Sequence, residues 1–108
     1  MEVVLLSVEA EPEAVLPALP LLPHPVRVLP PLASSAGEMD GAAIVLVDAR
    51  TDLAGSRALC RLLSGTVDLA VVAVVTEGGL IAVSGDWGLD DILLPTTGLA
   101  EIDARFRL

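Results

Sequence analysis

Ala42-Ala43-Ile44-Val45-Leu46-Val47-Asp48 is the stretch of sequence that decides the fold. Its apolar positions are continuous rather than alternating, which is typical of a strand buried on both faces of a parallel sheet. Other strand-length apolar runs, separated by helical or turn-rich segments, are Val3 to Val8, Val26 to Leu29, Leu69 to Val75 and Ile92 to Leu94. The pattern predicts an α/β domain with a doubly wound, five-stranded parallel sheet in which the run after Pro25 is an edge strand.

Composition narrows the classes of protein that the chain can belong to. Its 108 residues suffice for one domain, and the aromatic residues Trp87 and Phe106 leave the core to aliphatic side chains. The net charge of −9 argues against direct binding of nucleic acid by this segment. No apolar stretch is long enough to span a membrane, and no signal peptide precedes the first strand, so we expect a cytoplasmic protein with no membrane partner.

The segments between the strands predict helices, of which the first two carry weaker helical signals than the third. A first helix opens at Glu11-Pro12-Glu13 and is shortened or kinked by Pro17, and a frayed second helix is expected within residues 31–41. The third helix begins at Thr51 or Asp52 and ends at Ser64-Gly65. Its buried face is predicted to contain Leu53, Leu59, Cys60 and Leu63.

Two more helical segments are expected in the second half of the chain. The fourth, Glu77 to Ser84, is short, with Gly78-Gly79 near its start. The fifth begins near Gly98 and is predicted to bury Leu99, Ile102 and Phe106.

A crevice is expected at the carboxyl ends of the first and third strands, where doubly wound sheets bind their ligands. Ser7, Asp48 and Thr76 end the first, third and fourth strands. An aspartate at this place could accept a phosphoryl group, bind a metal or cap the next helix. We hypothesise that Arg50 folds back onto Asp48 and that the Ser7 hydroxyl donates a hydrogen bond to the same carboxylate. The alternative is that Arg50 is a solvated loop residue.

The whole chain resembles the receiver domain of two-component response regulators. Asp48 matches the phosphoacceptor, Thr76 the hydroxyl residue after the fourth strand, and Gly88-Leu89-Asp90-Asp91-Ile92 the entry to the fifth strand. The resemblance implies a flavodoxin- or CheY-like sheet of order 2-1-3-4-5 with helices on both faces.

Two departures from the receiver pattern bear on its chemistry. Ser7-Val8 stands where receivers carry the acidic pair that holds Mg²⁺, and Pro95 stands in place of their lysine. With fewer carboxylates for the metal and no lysine for the phosphoryl oxygens, acceptor chemistry should be very slow. We therefore expect no bound metal, no cofactor and no cognate kinase.

A closer resemblance is to the amino-terminal domain of the GlnR family, OmpR/PhoB-type regulators of nitrogen metabolism in actinobacteria. The segments that carry it include Leu16-Pro17-Ala18-Leu19, Val47-Asp48-Ala49-Arg50, Leu59-Cys60-Arg61-Leu62-Leu63, Glu77-Gly78-Gly79-Leu80 and Asp86-Trp87-Gly88-Leu89-Asp90-Asp91. The resemblance implies that residues 1–108 are a receiver domain followed by a winged-helix domain, through which alone DNA is bound. It also implies phosphorylation-independent homodimerisation of an orphan regulator.

The same resemblance implies a dimer surface formed by the fourth helix, the fifth strand and the fifth helix. The residues expected there are Leu80, Ile81, Asp90, Asp91, Leu93, Glu101, Arg105 and Arg107. Across a two-fold axis, aspartates of one subunit could meet arginines of the other, while the aliphatic side chains supply apolar burial. Trp87 is expected either to cover the core or to anchor the interface. Without the resemblance, these charges are more simply interpreted as a solvated helix face.

Two other functions stay open at the level of the sequence. The first is a receiver that is switched by phosphorylation of Asp48, with Glu9 replacing the missing acidic pair. The second is a small α/β enzyme, which we disfavour because no histidine or cysteine is expected at the crevice. His24 lies in a Pro-His-Pro turn and is expected to be exposed, and no glycine-rich phosphate loop follows the first strand.

Overall fold

The computed structural model describes residues 1–107 and contains the expected five-stranded sheet. Its strands are β1 (Glu2–Leu6), β2 (Val26–Leu29), β3 (Ala42–Asp48), β4 (Ala70–Val74) and β5 (Asp91–Leu93). All neighbouring pairs are parallel, and the order is β2-β1-β3-β4-β5. The predictions of fold class, strand order and edge position of β2 are therefore confirmed.

The side chains of β3 contribute to two hydrophobic clusters, one on each face of the sheet. Val45 and Val47 point to one face of the sheet, and Ile44 and Leu46 point to the other, because side chains alternate along a strand. All four side chains are buried. Both faces must therefore be covered, which explains why this strand has no polar position before Asp48.

The face that receives Val45 and Val47 is covered mainly by helix α1 (Leu53–Thr66). The Asp52 carboxylate accepts a hydrogen bond from the Gly55 N–H at 3.0 Å and thereby caps the first turn. The predicted end at Ser64-Gly65 was wrong, since Gly65 does not adopt a positive φ and the helix continues to Thr66. Cys60 lies in this core, and burial raises the pKa of its thiol to about 11.

The opposite face is covered by helix α2 (Leu99–Arg107) and by turns that precede β2. Ile102 and Phe106 are buried as predicted, whereas Leu99 is 43% exposed, contrary to the prediction. His24 is half-buried rather than exposed, with its ring centroid 6.2 Å from that of Phe106. No helix among residues 1–107 is long and apolar enough to cross a membrane.

The other three predicted helices were wrong as α-helices and are short 3₁₀ turns. The first predicted helix is replaced by the turns Pro12–Ala14 and Leu19–Leu21, and the second by Ala33–Glu38. The fourth is replaced by Glu77–Ala82, which is followed by Gly85–Trp87. Prolines interrupt the first region, and serine and glycine or paired glycines weaken the other two. Each face of the sheet therefore carries a single α-helix supplemented by 3₁₀ turns.

Gly88 ends the turn Gly85–Trp87 in the left-handed region, with φ of 75°. A Cβ added there would lie 2.7 Å from the Cβ of Ser64 on α1. We expect Gly88→Ala to lower the free energy of unfolding by about 2 kcal/mol, because both the backbone and the helix contact are strained. Urea denaturation measures the loss. The matched control is Gly85→Ala, whose Cβ would meet open space, and equal losses in the two variants would contradict this explanation.

Candidate functional site

The expected crevice is present at the carboxyl ends of β1 and β3. The two strands are neighbours, with Leu6 in register with Val47, so the residues that follow lie side by side. Ser7 Oγ donates a hydrogen bond of 2.7 Å to Asp48 Oδ2. Backbone pairing of the two buried strands therefore places these side chains next to each other.

Arg50 completes the arrangement by folding back onto Asp48. Its Nε donates to Oδ1 at 2.8 Å, and its Nη2 donates to Oδ2 at 3.1 Å. The Arg50 backbone N–H also donates to Oδ1, at 3.2 Å. The hypothesised contacts of Arg50 and Ser7 with the carboxylate are therefore present, and the arginine binds it in a bidentate fork.

The environment of the carboxylate favours its ionised form. The Asp48 side chain is 5% exposed and that of Arg50 is 21% exposed. Burial raises the pKa of Asp48, but the hydrogen bonds from Arg50 and Ser7 together outweigh it, so this pKa lies below its usual value. The hydrogen bond to Asp48 in turn raises the pKa of Arg50. At neutral pH the crevice thus holds a compensated ion pair.

Arg50 also connects the crevice to the turn that follows β1. Its Nη1 donates to the carbonyl oxygen of Ala14 at 2.8 Å, and the Glu9 N–H donates to Ser7 Oγ at 3.0 Å. Sequence reasoning missed the Ala14 contact, because a backbone carbonyl carries no signature in the residue type. It also missed Ser56, whose Oγ donates to the Asp48 carbonyl at 3.3 Å.

The residues of the crevice do not fit the Mg²⁺ ion that the receiver fold implies. Ser7 and Val8 offer no carboxylate, and both oxygens of Asp48 already accept hydrogen bonds from Arg50. Within residues 1–107, no group of three or more histidine, cysteine or acidic side chains is arranged to hold a metal ion. Magnesium prefers several oxygen ligands in octahedral geometry, which this donor set cannot supply.

Thr76 does not join the network around Asp48. The four hydrogen bonds described above for the carboxylate come from Ser7 and Arg50. Thr76 is exposed and precedes the turn Glu77–Ala82, where its carbonyl accepts a hydrogen bond from the Gly79 N–H. Thr76 is thus not among these hydrogen-bond partners of Asp48, and its role at the crevice stays a prediction.

The predicted dimer surface is formed by the turn Glu77–Ala82, β5 and α2. Ile81 is 94% exposed there, and Leu80 is partly buried against the core. Leu93 is 2% exposed, so the expectation that it supplies apolar interface area was wrong. Its side chain points inward from β5 and packs in the cluster that contains Ile102 and Phe106.

The charged residues of this surface pair within one chain. Arg105 Nη1 lies 3.0 Å from each oxygen of Asp91, and Arg105 Nε donates to Glu101 Oε2 at 3.0 Å. Arg107 Nη2 lies 3.4 Å from Asp103 Oδ2. Asp90 Oδ2 accepts a hydrogen bond of 2.8 Å from the Val71 N–H at the start of β4. The arginines expected to meet aspartates of another subunit thus have partners in their own chain.

Trp87 covers the core, which is one of its two predicted roles. It is 1% exposed, and its Nε1 donates to the Ala82 carbonyl at 3.1 Å. The indole packs in the cluster that contains Leu59, Cys60 and Leu63 of α1. It therefore fastens the turns of residues 77–87 to that helix.

Comparisons with known proteins agree with this architecture. A family model described as the N-terminal domain of the transcription regulator GlnR matches residues 1–108. Among solved structures, the chain is similar to the receiver domain of the TMAO respiratory system response regulator TorR, with a TM-score of 0.73 and 18% identity. The alignment covers 98% of this chain and 92% of that one, and shows a CheY-like receiver fold. No curated protein matches the chain.

Proposed function

Since this chain belongs to the family of N-terminal domains of GlnR transcription regulators, we propose that it is a receiver that dimerises without being phosphorylated. The observation that carries the proposal is the bidentate ion pair between Asp48 and Arg50, reinforced by Ser7. It occupies the place at which a receiver accepts its phosphoryl group. The domain would then hold a single charge-compensated state.

The chemistry of phosphoryl transfer supports this proposal. A carboxylate that attacks a phosphorus atom needs a free oxygen, and cations must neutralise the charge that develops on the phosphoryl oxygens. Here the nearest guanidinium is bound to the acceptor itself, and both carboxylate oxygens accept hydrogen bonds. Attack would require breaking the ion pair first, and Pro95 stands where receivers have the lysine that would supply a second cation.

We further propose that the homodimer forms through the turn Glu77–Ala82, β5 and α2. The surface includes the exposed side chain of Ile81 and two pairs of opposite charges, Arg105 with Asp91 and Arg105 with Glu101. An isologous contact would use the same patch twice.

The dimer would position DNA-binding domains rather than bind DNA itself. We propose that a winged-helix domain follows residue 108 and makes all contacts with DNA, because the acidic receiver repels phosphate backbones. In this proposal the regulator is an actinobacterial, cytoplasmic protein that acts on genes of nitrogen metabolism and needs no cognate kinase.

Sedimentation velocity across the micromolar range tests the proposal, with and without Mg²⁺ and beryllofluoride, a mimic of the phosphoryl group. We expect a dimer whose dissociation constant ignores both additives. A receiver that keeps the acidic pair and the lysine is the positive control for the additives. A monomer that dimerises only when they are added would identify Asp48 as a working phosphoacceptor, and a monomer under all conditions would rule out the proposed dimer.

A further inference from the structure

A groove of about 700 Å³ lies at the amino ends of β3, β4 and β5, on the face of the sheet that α2 covers. Its lining includes buried apolar side chains of the core on that face, namely Ile44, Val72, Leu93 and Phe106. Met1, which is 44% exposed, adds further apolar surface. Within residues 1–107, the apolar core is therefore open to solvent at this place.

Ala43 shows that the sheet is incompletely covered here. It is the only exposed residue of β3. The consecutive residues Glu2 and Val3 of β1 pair with Ala42 and Ile44, so Ala43 is the extra residue of a bulge. Its side chain lines the groove. An apolar residue in a central strand of a parallel sheet is normally covered by a helix, and the described part of α2 leaves this one exposed.

The rim of the groove carries two carboxylates that lack a cation. Asp68 and Asp90 both line the groove and are exposed. Neither forms an ion pair with another of residues 1–107, although Asp90 accepts a hydrogen bond from the Val71 N–H. The arginines of the rim, Arg105 and Arg107, already form ion pairs within the chain. The groove thus favours a segment that offers both apolar and basic side chains.

The chain leaves α2 at the edge of the groove. Phe106 and Arg107, the last described residues, both line it. In the proposed function a DNA-binding domain follows residue 108, so the chain that leads to that domain begins beside the groove. A segment tethered this closely has a high effective concentration at the groove, and a contact of modest intrinsic affinity is enough to keep it bound.

We propose that the segment connecting residue 108 to the DNA-binding domain docks in this groove, with apolar side chains on the floor and a basic side chain beside Asp68 and Asp90. The inference rests on the proposed function, because it requires that second domain. The docked segment limits the orientations of the DNA-binding domain relative to the receiver. The receiver then orients the DNA-binding domains as well as pairing them.

Hydrogen exchange of the full-length protein tests this docking, with Ala43→Arg to fill the groove. We expect amides directly after residue 108 to exchange at least about fivefold faster in this variant than in wild type, because the arginine occupies the groove and pairs with its acids. The matched control is Ala58→Arg, at an exposed position of α1 on the opposite face, which should exchange like wild type. Asp68→Asn adds no bulk and should accelerate the same amides less, which keeps the test independent of any folding defect in Ala43→Arg.

The possible outcomes separate the docking from the proposed function. Unchanged exchange in Ala43→Arg and Asp68→Asn, or an equal acceleration in Ala58→Arg, would overturn the docking and leave the proposed function intact. If Ala43→Arg weakened the dimer in sedimentation and left that exchange unchanged, a second copy would occupy the groove and the inference would be wrong. Failure of the full-length wild type to bind sheared chromosomal DNA would contradict the proposed function itself.

Discussion

Trp87→Ala is expected to lower the free energy of unfolding by about 3–5 kcal/mol. Among residues 1–107, Trp87 is the largest fully buried side chain and the only aromatic residue on its side of the sheet. The remaining side chains of that cluster are aliphatic or sulfur-containing, and most of them lie on α1 and on the strands, which limits their movement into the space. A cavity of this size forfeits both the burial of the indole and its packing contacts.

Trp87→Phe separates the packing of the ring from its hydrogen bond. Phenylalanine keeps most of the apolar volume but loses the bond from Nε1 to the Ala82 carbonyl, so we expect a loss of about 1–2 kcal/mol. Urea denaturation followed by far-ultraviolet circular dichroism suits both variants, because the chain has no other tryptophan for fluorescence. If Phe and Ala cost the same, the hydrogen bond and not the packing would dominate.

Hydrogen exchange should localise the effect of Trp87→Ala. The turns Glu77–Ala82 and Gly85–Trp87 have few hydrogen bonds of their own, and they are attached to α1 by this buried side chain and by an exposed ion pair between Arg57 and Asp86. We expect amides of residues 77–87 to lose protection in the variant more than those of β1 and β3. Because Ile81 projects from the same segment, its position on the surface depends on a residue that is itself buried.

The sheet could be predicted from the sequence because the apolar pattern of its strands is local and unambiguous. The continuous apolar residues from Ala42 to Val47 predict a strand that is buried on both faces of the sheet. The order of the strands follows from the receiver resemblance. The helices were less predictable. Proline at positions 12, 17 and 20 and glycine at 78 and 79 shift the balance from α-helix to 3₁₀ turn, and hydrophobic spacing over so few residues cannot distinguish the two.

The site was predictable to the extent that its residues end adjacent strands. Ser7 and Asp48 follow β1 and β3, and Arg50 is close enough along the chain to turn back. The position of Thr76 depends on the path of the chain after β4, and the pairing of Arg105 with Asp91 depends on how α2 lies against β5. Such long-range geometry leaves no trace in residue spacing, so both had to come from the structure.

Asp48→Ala is expected to lower the free energy of unfolding by about 2–3 kcal/mol, because it leaves the Arg50 guanidinium and the Ser7 hydroxyl without their acceptor. The loss is smaller than for a fully buried pair, since Arg50 is 21% exposed and can be hydrated in part. A double-mutant cycle with Arg50→Met should give a coupling energy of about 1–2 kcal/mol. Independent effects of the two substitutions would mean that the observed contact stabilises nothing.

The pH dependence of stability tests the same ion pair through its charge. Because the pKa of Asp48 is lowered on folding, its contribution is complete above the pKa of the unfolded chain, about 4, and is lost as pH falls toward the lower folded value. Wild type should therefore lose stability more steeply than Asp48→Asn in this acidic range. Glu11→Gln, which removes an exposed acid, is the control. If the free energy of unfolding fell equally steeply with pH in wild type and Asp48→Asn, the ion pair would not stabilise the fold. The proposal that Arg50 neutralises Asp48 without phosphate would then lose its physical basis.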